Sequence, residues 1–230
     1  MTNTACHECA MQSQCVWKQY KESLGISVQQ NVYRSGQNLF EQGDECTSLY
    51  VVRAGAVKTY RYTPDGDEQV IGFQYPGAVL GVEGMADDEH PTFAQCVDTT
   101  SVCVLPKAGL LAACARSPEL VKELLRVAAR QVEDNTKAQR TLGHMSAEQR
   151  IASFLIDTAT QRERQGFSAN ELRLPMQRKE VAKHLALAVE TVSRTFRRLE
   201  DDGVLTVDPS DRKHVTIESM DRLMATAVAA

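Results

Sequence analysis

The chain reads as an α+β protein: a small antiparallel β barrel or sandwich, one unusually long helix, then a C-terminal winged helix-turn-helix. Three observations carry this reading. Eight of the thirteen glycines fall between Gly36 and Gly84 and cut that stretch into strand-sized pieces. No glycine or proline interrupts residues 119–142, about twice the usual length of a helix. Further on, two short helical patterns meet at Leu187-Ala188, and two strand-like runs follow them.

In the strand-like segment, residues 28–105, the runs at 49–52 and 56–62 are rich in β-branched and aromatic side chains, which suit a pleated surface. Pro64-Asp65-Gly66 is turn chemistry, proline fixing one φ and glycine tolerating a positive one. Pro118 opens the long helix, since proline is tolerated in a first turn. Along it Ala128, Val132, Asn135, Gln139 and Leu142 recur at spacings of four, three, four and three. That is a coiled-coil seam, so the helix is expected to pair with a second copy. From about Ser146, residues 148–160 place Ile151, Phe154, Leu155 and Ala159 on one helical face. Residues 177–186 and 189–201 form the two helices of the helix-turn-helix, and Gly203 ends the second. Residues 204–207 and 214–217 flank Asp208-Pro209-Ser210-Asp211 and read as a β-wing.

At 230 residues the chain suits one large or two small domains. A hydrophobic content of 43% and a charged content of 24% fit a soluble globular protein. No run reaches the ~18 apolar residues of a membrane span, and the N-terminus lacks the apolar core of a signal peptide. The expected location is therefore the cytoplasm, with no membrane partner. Thiols stay reduced there, so seven cysteines point to metal or redox chemistry rather than disulfides. The net charge of -4 argues weakly against DNA binding for the chain as a whole, but charge acts locally and the C-terminal third must be judged by itself.

Two constellations carry chemistry. Cys6, Cys9 and Cys15 are spaced C-x2-C-x5-C, too tight for a disulfide framework but suited to one soft metal centre. Cys103 lies in a strand-like run downstream, and Cys96, seven residues earlier, competes with it as a fourth ligand. An odd separation on one strand turns the two side chains to opposite faces, but a turn at Thr99-Thr100 breaks that parity. Cys46, Cys96 and Cys114 otherwise read as small buried residues, and His7 as a surface residue between ligands. The second constellation is Glu190, Ser193 and Arg194, on one face at the start of the second helix of the helix-turn-helix. In the major groove glutamate accepts from cytosine N4 and arginine donates twice to guanine, while serine serves several acceptors. Arg197 and Arg198 lie deeper in the helix and are expected to contact phosphates.

The chain resembles the CRP/FNR superfamily, specifically the oxygen-sensing FNR (fumarate and nitrate reduction) regulators. The resemblance covers essentially the whole sequence. It rests on Cys6-x2-Cys9-x5-Cys15, on Gly66-Asp67-Glu68-Gln69 followed by Gly72-Phe73, on Phe93-Ala94-Gln95 leading to Cys103, and on Glu190-Thr191-Val192-Ser193-Arg194. It implies a cluster-binding segment over residues 1–20, an antiparallel β-roll (cupin-like) sensor domain over 21–117, a dimerisation helix over 118–145 and a winged helix-turn-helix over 146–230. It implies an oxygen-labile [4Fe-4S] cluster on Cys6, Cys9, Cys15 and Cys103, which promotes homodimerisation. The implied activity is regulation of anaerobic-metabolism genes, by activation or repression, through a palindrome of TTGAT-like half-sites, with RNA polymerase as a further partner.

In cyclic-nucleotide sensors of that superfamily an Arg-Ser pair meets the phosphate. Here the corresponding stretch reads Glu89-His90-Pro91-Thr92, so no cyclic nucleotide is expected. Asn135 stands where an aspartate is usual and Gln139 where an aliphatic residue is common, which removes one charge repulsion but weakens apolar packing. Two other readings compete: a CRP-like regulator whose thiols hold structural zinc or sense redox directly, and a cysteine-based redox enzyme. The enzyme reading fails on context, because Cys6 and Cys9 precede an all-β segment rather than a βαβ unit. Nothing resembles a catalytic triad or a phosphate-binding loop, so no enzymatic activity is expected.

Overall fold

Residues 15, 17–18, 20 and 24–228 are described by a computed structural model of the chain, the side chains of Arg140 and Leu142 excepted. Cys6, His7 and Cys9 lie outside the described residues, as does the side chain of Leu142. Two units divide the chain between Glu133 and Asp134, inside the long helix.

The first unit is built from strands β1 (Gln29–Tyr33), β2 (Asn38–Phe40), β3 (Ser48–Ala54), β4 (Val57–Tyr62), β5 (Glu68–Gln74), β6 (Val79–Leu80), β7 (Phe93–Cys96) and β8 (Thr100–Pro106). They form two antiparallel sheets, ordered β1-β8-β3-β6 and β2-β7-β4-β5. The predicted turn joins β4 to β5: Gly66 takes φ 84° and donates its amide to the Thr63 carbonyl at 2.9 Å. Across that hairpin Lys58 Nζ meets Glu68 Oε1 at 2.7 Å in a nearly buried ion pair.

The first sheet buries both faces, and the side-chain alternation of its strands sorts residues between two cores. Val52 of β3 and Val102 of β8 face Phe40, Val57, Ala94 and Cys96, which come chiefly from the other sheet. Leu49 and Val51 of β3 and Leu105 of β8 face away, toward Trp17, Tyr20, Leu110 and Leu120. That second core is closed by α1 (Lys107–Cys114) and by the start of α2 (Pro118–His144). The Ser117 hydroxyl accepts the Leu120 amide at 3.2 Å and fixes where α2 begins.

The second unit holds α3 (Ala147–Arg164), β9 (Glu171–Arg173), α4 (Arg178–Leu185), α5 (Val189–Asp201), β10 (Leu205–Val207), β11 (His214–Ile217) and α6 (Met220–Val228). Ser146 and Gln149 form a reciprocal capping box that starts α3. The wing sheet is ordered β10-β11-β9. Three elements escape the sequence reading for identifiable reasons. Helix α1, KAGLLAAC, has no polar face to reveal a period. Strand β9 is three residues long and exists by pairing with β11. Helix α6 is a short terminal segment that buries Leu223 in this unit. Among the described residues no helix is long and apolar enough to cross a membrane.

Candidate functional site

Three features of the described residues bear on function: a thiol-bearing core face, an exposed stripe on α2, and the outer face of α5. The thiols divide between the two cores of the first unit. Cys103 lies on β8 between Gln30 of β1 and Val51 of β3. It packs, half-buried, on the core that contains Trp17, Tyr20 and Leu105, and Cys15 packs on that same core. Cys96 ends β7, in the other sheet, and is 1% exposed in the core with Phe40 and Val102. The chain turns between β7 and β8, so strand parity does not relate these two cysteines; they sit on strands of different sheets that face different cores.

Cys114, at the end of α1, is half-buried and packs on the core of Cys15 and Cys103 rather than standing apart from it. Cys46 is wholly buried, and its Sγ lies 3.5 Å from the Gly81 carbonyl that it can donate to. Burial pushes the thiols of Cys46, Cys96 and Cys114 above the ordinary cysteine range. Among the described residues no three metal-ligating side chains converge. Cys15 and Cys103 are the two described members of the expected set of four.

On α2 the expected seam faces solvent. Val132, Asn135 and Gln139 are exposed and Ala128 is half-buried. The stripe begins two steps earlier than the sequence reading placed it, because Val121 and Leu125 continue the alternating spacing and are 39% and 65% exposed. The other side of the helix is occupied: Leu120, Leu124 and Val127 pack on the first unit's core, and Gln131 donates to the Val79 carbonyl at 3.1 Å. Between Leu124 and Thr141 every charged residue lies off the stripe and off its two flanks.

Helix α5 buries Val192, Thr195, Phe196 and Leu199 and turns Glu190, Ser193, Arg194 and Arg197 outward on one side. Arg194 and Arg197 have no ion-pair partner among the described residues. Arg198 differs, because its guanidinium donates to Glu148 of α3 at 3.0 Å and reaches Asp202 at 3.8 Å. Val189, apolar and 39% exposed, joins the outward group at the helix start.

The turn before α5 places Ala186 at φ 52°, and the Leu187 amide returns to the Ala182 carbonyl at 2.9 Å. Arg178, the first residue of α4, lays its guanidinium over the Phe196 ring at 3.6 Å. Burial first, and the Arg212 charge from the wing second, lower its pKa to about 10 against the pull of Glu200. Arg178 and Arg212 thus feel each other's charge, a juxtaposition that the sequence reading did not anticipate. Their signal is spatial, since 34 residues separate them in the chain. At the wing tip Asp208 accepts the Ser210 hydroxyl and amide, which holds its carboxyl below the usual range and fixes the loop.

Known proteins place these features. A family model of the cyclic nucleotide-binding domain matches residues 30–117, and one of the Crp-like helix-turn-helix domain matches residues 149–226. The chain is 40% identical over 175 residues to the transcriptional activator protein FnrA of Stutzerimonas stutzeri, covering 76% of this chain and 72% of that one. It is 33% identical over 227 residues to the fumarate and nitrate reduction regulatory protein of Vibrio cholerae, covering 96% of this chain and 90% of that one. Among solved structures, FixK2 from Bradyrhizobium japonicum superposes with a TM-score of 0.81 at 26% identity, over 89% of this chain and all of that one.

Proposed function

The chain is a member of the CRP/FNR superfamily of transcription regulators, and we propose that it regulates transcription in response to O2 as a DNA-binding homodimer. It is not an enzyme. The sensing group in this reading is a [4Fe-4S] cluster held by Cys6, Cys9, Cys15 and Cys103. The observation that carries it is the sorting of thiols between the two cores: Cys103 on β8 shares a core with Cys15, whereas Cys96 on β7 faces the other. Four soft thiolates are the donor set that iron–sulfur chemistry requires. When bound, the cluster supplies reactivity toward O2. The chain's own part is to hold Cys15 and the β8 thiol on one core, which also takes the start of α2.

The charge-free stripe on α2 suits pairing with a second copy, and Asn135, in place of an aspartate, leaves no like charges to repel across it. In the DNA-binding unit, Glu190, Ser193 and Arg194 read base edges of a TTGAT-like half-site, and Arg197 meets phosphate. Arg198, already paired with Glu148, braces α5 against α3. Regulation would operate in the cytoplasm, with RNA polymerase as partner and without a cyclic nucleotide.

An absorbance spectrum of anaerobically purified protein tests this reading. The expected result is a brown protein that bleaches in air, with iron lost in Cys103→Ser and kept in Cys96→Ser and Cys114→Ser. Cys114→Ser is the stricter control because its thiol packs on the same core. A colourless protein indifferent to air would favour zinc instead.

A further inference from the structure

His90 is 2% exposed, yet its Nδ1 has no hydrogen-bond partner among the described residues. Buried polar atoms are nearly always paired, so an orphan of this kind calls for an explanation. The imidazole lies flat on Phe40, the ring centres 3.7 Å apart and the planes 10° from parallel. Two glycines make room for it. A Cβ on Gly84 would stand 3.0 Å from Nδ1, and one on Gly81 would stand 3.1 Å from Cε1.

The backbone around this ring is a strap joining two loops. The Gly43 amide donates to the His90 carbonyl and the His90 amide to the Asp44 carbonyl, both at 2.9 Å. The Cys46 amide donates to the Asp88 carbonyl at 2.7 Å, and Glu45 bridges Glu89. Asp88 holds a left-handed φ of 62°, and its carboxylate takes Lys107 Nζ at 2.7 Å. Lys107 is the first residue of α1, whose Leu110 and Ala113 belong to the core on which Cys15 and Cys103 pack. The strap thus ties the loop after β2 to the helix beside the thiol core.

We propose that His90 is a proton-operated latch: its neutral ring closes residues 43–46 onto residues 88–90, and protonation of the ring opens that strap. The groups facing it are Glu83 on the short helical turn Glu83–Met85, Asp44 on the loop after β2, Lys107 on α1, and the Cys46 thiol beside Gly84. Glu83, which also accepts the Thr92 hydroxyl at 3.3 Å, and Asp44 attract an imidazolium, whereas Lys107 repels one.

Burial holds the imidazole below its ordinary 6.5, and Lys107 adds to this, while Glu83 and Asp44 pull the other way and do not prevail. The unfolded chain therefore binds a proton that the closed form refuses. Stability from this group is complete above about pH 6.5 and falls as the pH drops below it. The unfolding constant rises by at most about tenfold per pH unit until the folded ring also titrates. This inference is independent of the cluster reading, and its test needs no metal.

The test is amide hydrogen exchange of the full chain between pH 7.5 and pH 5.5, with an NMR titration of the imidazole rings. The expected result is that protection of the Gly43, Cys46 and His90 amides falls about tenfold over that range in the natural protein. In His90→Gln, which has no proton to take up, protection should not follow pH. The His90 resonance, identified by its loss in the variant, should titrate below 6.5. A ring that titrates at 6.5 or higher, or strap protection that does not change with pH in the natural protein, would overturn the latch. If His90→Gln does not fold, the natural protein alone decides through those two readouts.

Discussion

Arg194 and Arg197 stand one helical turn apart on α5, both outward and without ion pairs among the described residues, yet they are expected to do different work. Arg194 is close enough to the helix start to reach base edges, where a guanidinium donates to guanine O6 and N7 together. Arg194→Ala should cost roughly 1–3 kcal/mol per half-site and relax the preference at a guanine. Equilibrium binding to operator variants measures this, and an equal loss on specific and random DNA would remove Arg194 from the base-reading set. Arg197→Ala should weaken all sequences alike and flatten the salt dependence, since a phosphate contact acts by releasing counterions. The neighbouring Arg198 shows why exposure alone is a poor guide: its charge is already committed to Glu148 and Asp202.

Between α4 and α5 the chain reverses through Ala186, which adopts the left-handed conformation that only glycine takes without cost. That strain of about 1–2 kcal/mol is set against the greater unfolded freedom of glycine. Ala186→Gly should therefore stabilise the DNA-binding unit by a net of about 0.5–1 kcal/mol, read as a higher urea midpoint; a lower midpoint would show the turn to be relaxed. On α2 the apolar part of the stripe is its N-terminal half. Leu125→Glu, which places like charges face to face in a pair, should leave the protein monomeric in sedimentation with or without air. A dimeric Leu125→Glu protein would move the contact elsewhere.

For the molecule as a whole, two reading helices must enter successive major grooves, about 34 Å apart on one DNA face, so pairing of two chains is a condition of tight binding. Coupling between allosteric sites is typically about 1–3 kcal/mol, small enough for a few seam residues to shift the balance. Asn135 and Gln139 weaken apolar packing in the C-terminal half of the stripe. Gln139→Leu should thus raise both the dimer fraction and the DNA affinity of air-exposed protein. If the natural protein without its cluster is already fully dimeric at micromolar concentration, oxygen does not act through dimerisation here.

Much of this protein is written in local order. Turn chemistry at Pro64-Asp65-Gly66, an uninterrupted run from Pro118, and two helical patterns meeting at Leu187-Ala188 locate the strands, the long helix and the helix-turn-helix, because each depends on residues within a few positions of one another. The outward face of α5 was legible for the same reason: Glu190, Ser193 and Arg194 share a side by helical period alone. Contacts between distant segments were not legible. Whether Cys96 or Cys103 packs with Cys15 is decided by sheet pairing: β8 lies between β1 and β3 and turns Cys103 to the core of Cys15, whereas β7 lies between β2 and β4 and turns Cys96 to the other core. The approach of Arg212 to Arg178 and the orphaned ring of His90 between Gly81 and Gly84 arise in the same way. Sequence alone determined most of the elements, since propensity and period act along the chain; tertiary structure decided short pieces such as β9 and which side chains share a core, since pairing and burial act across it.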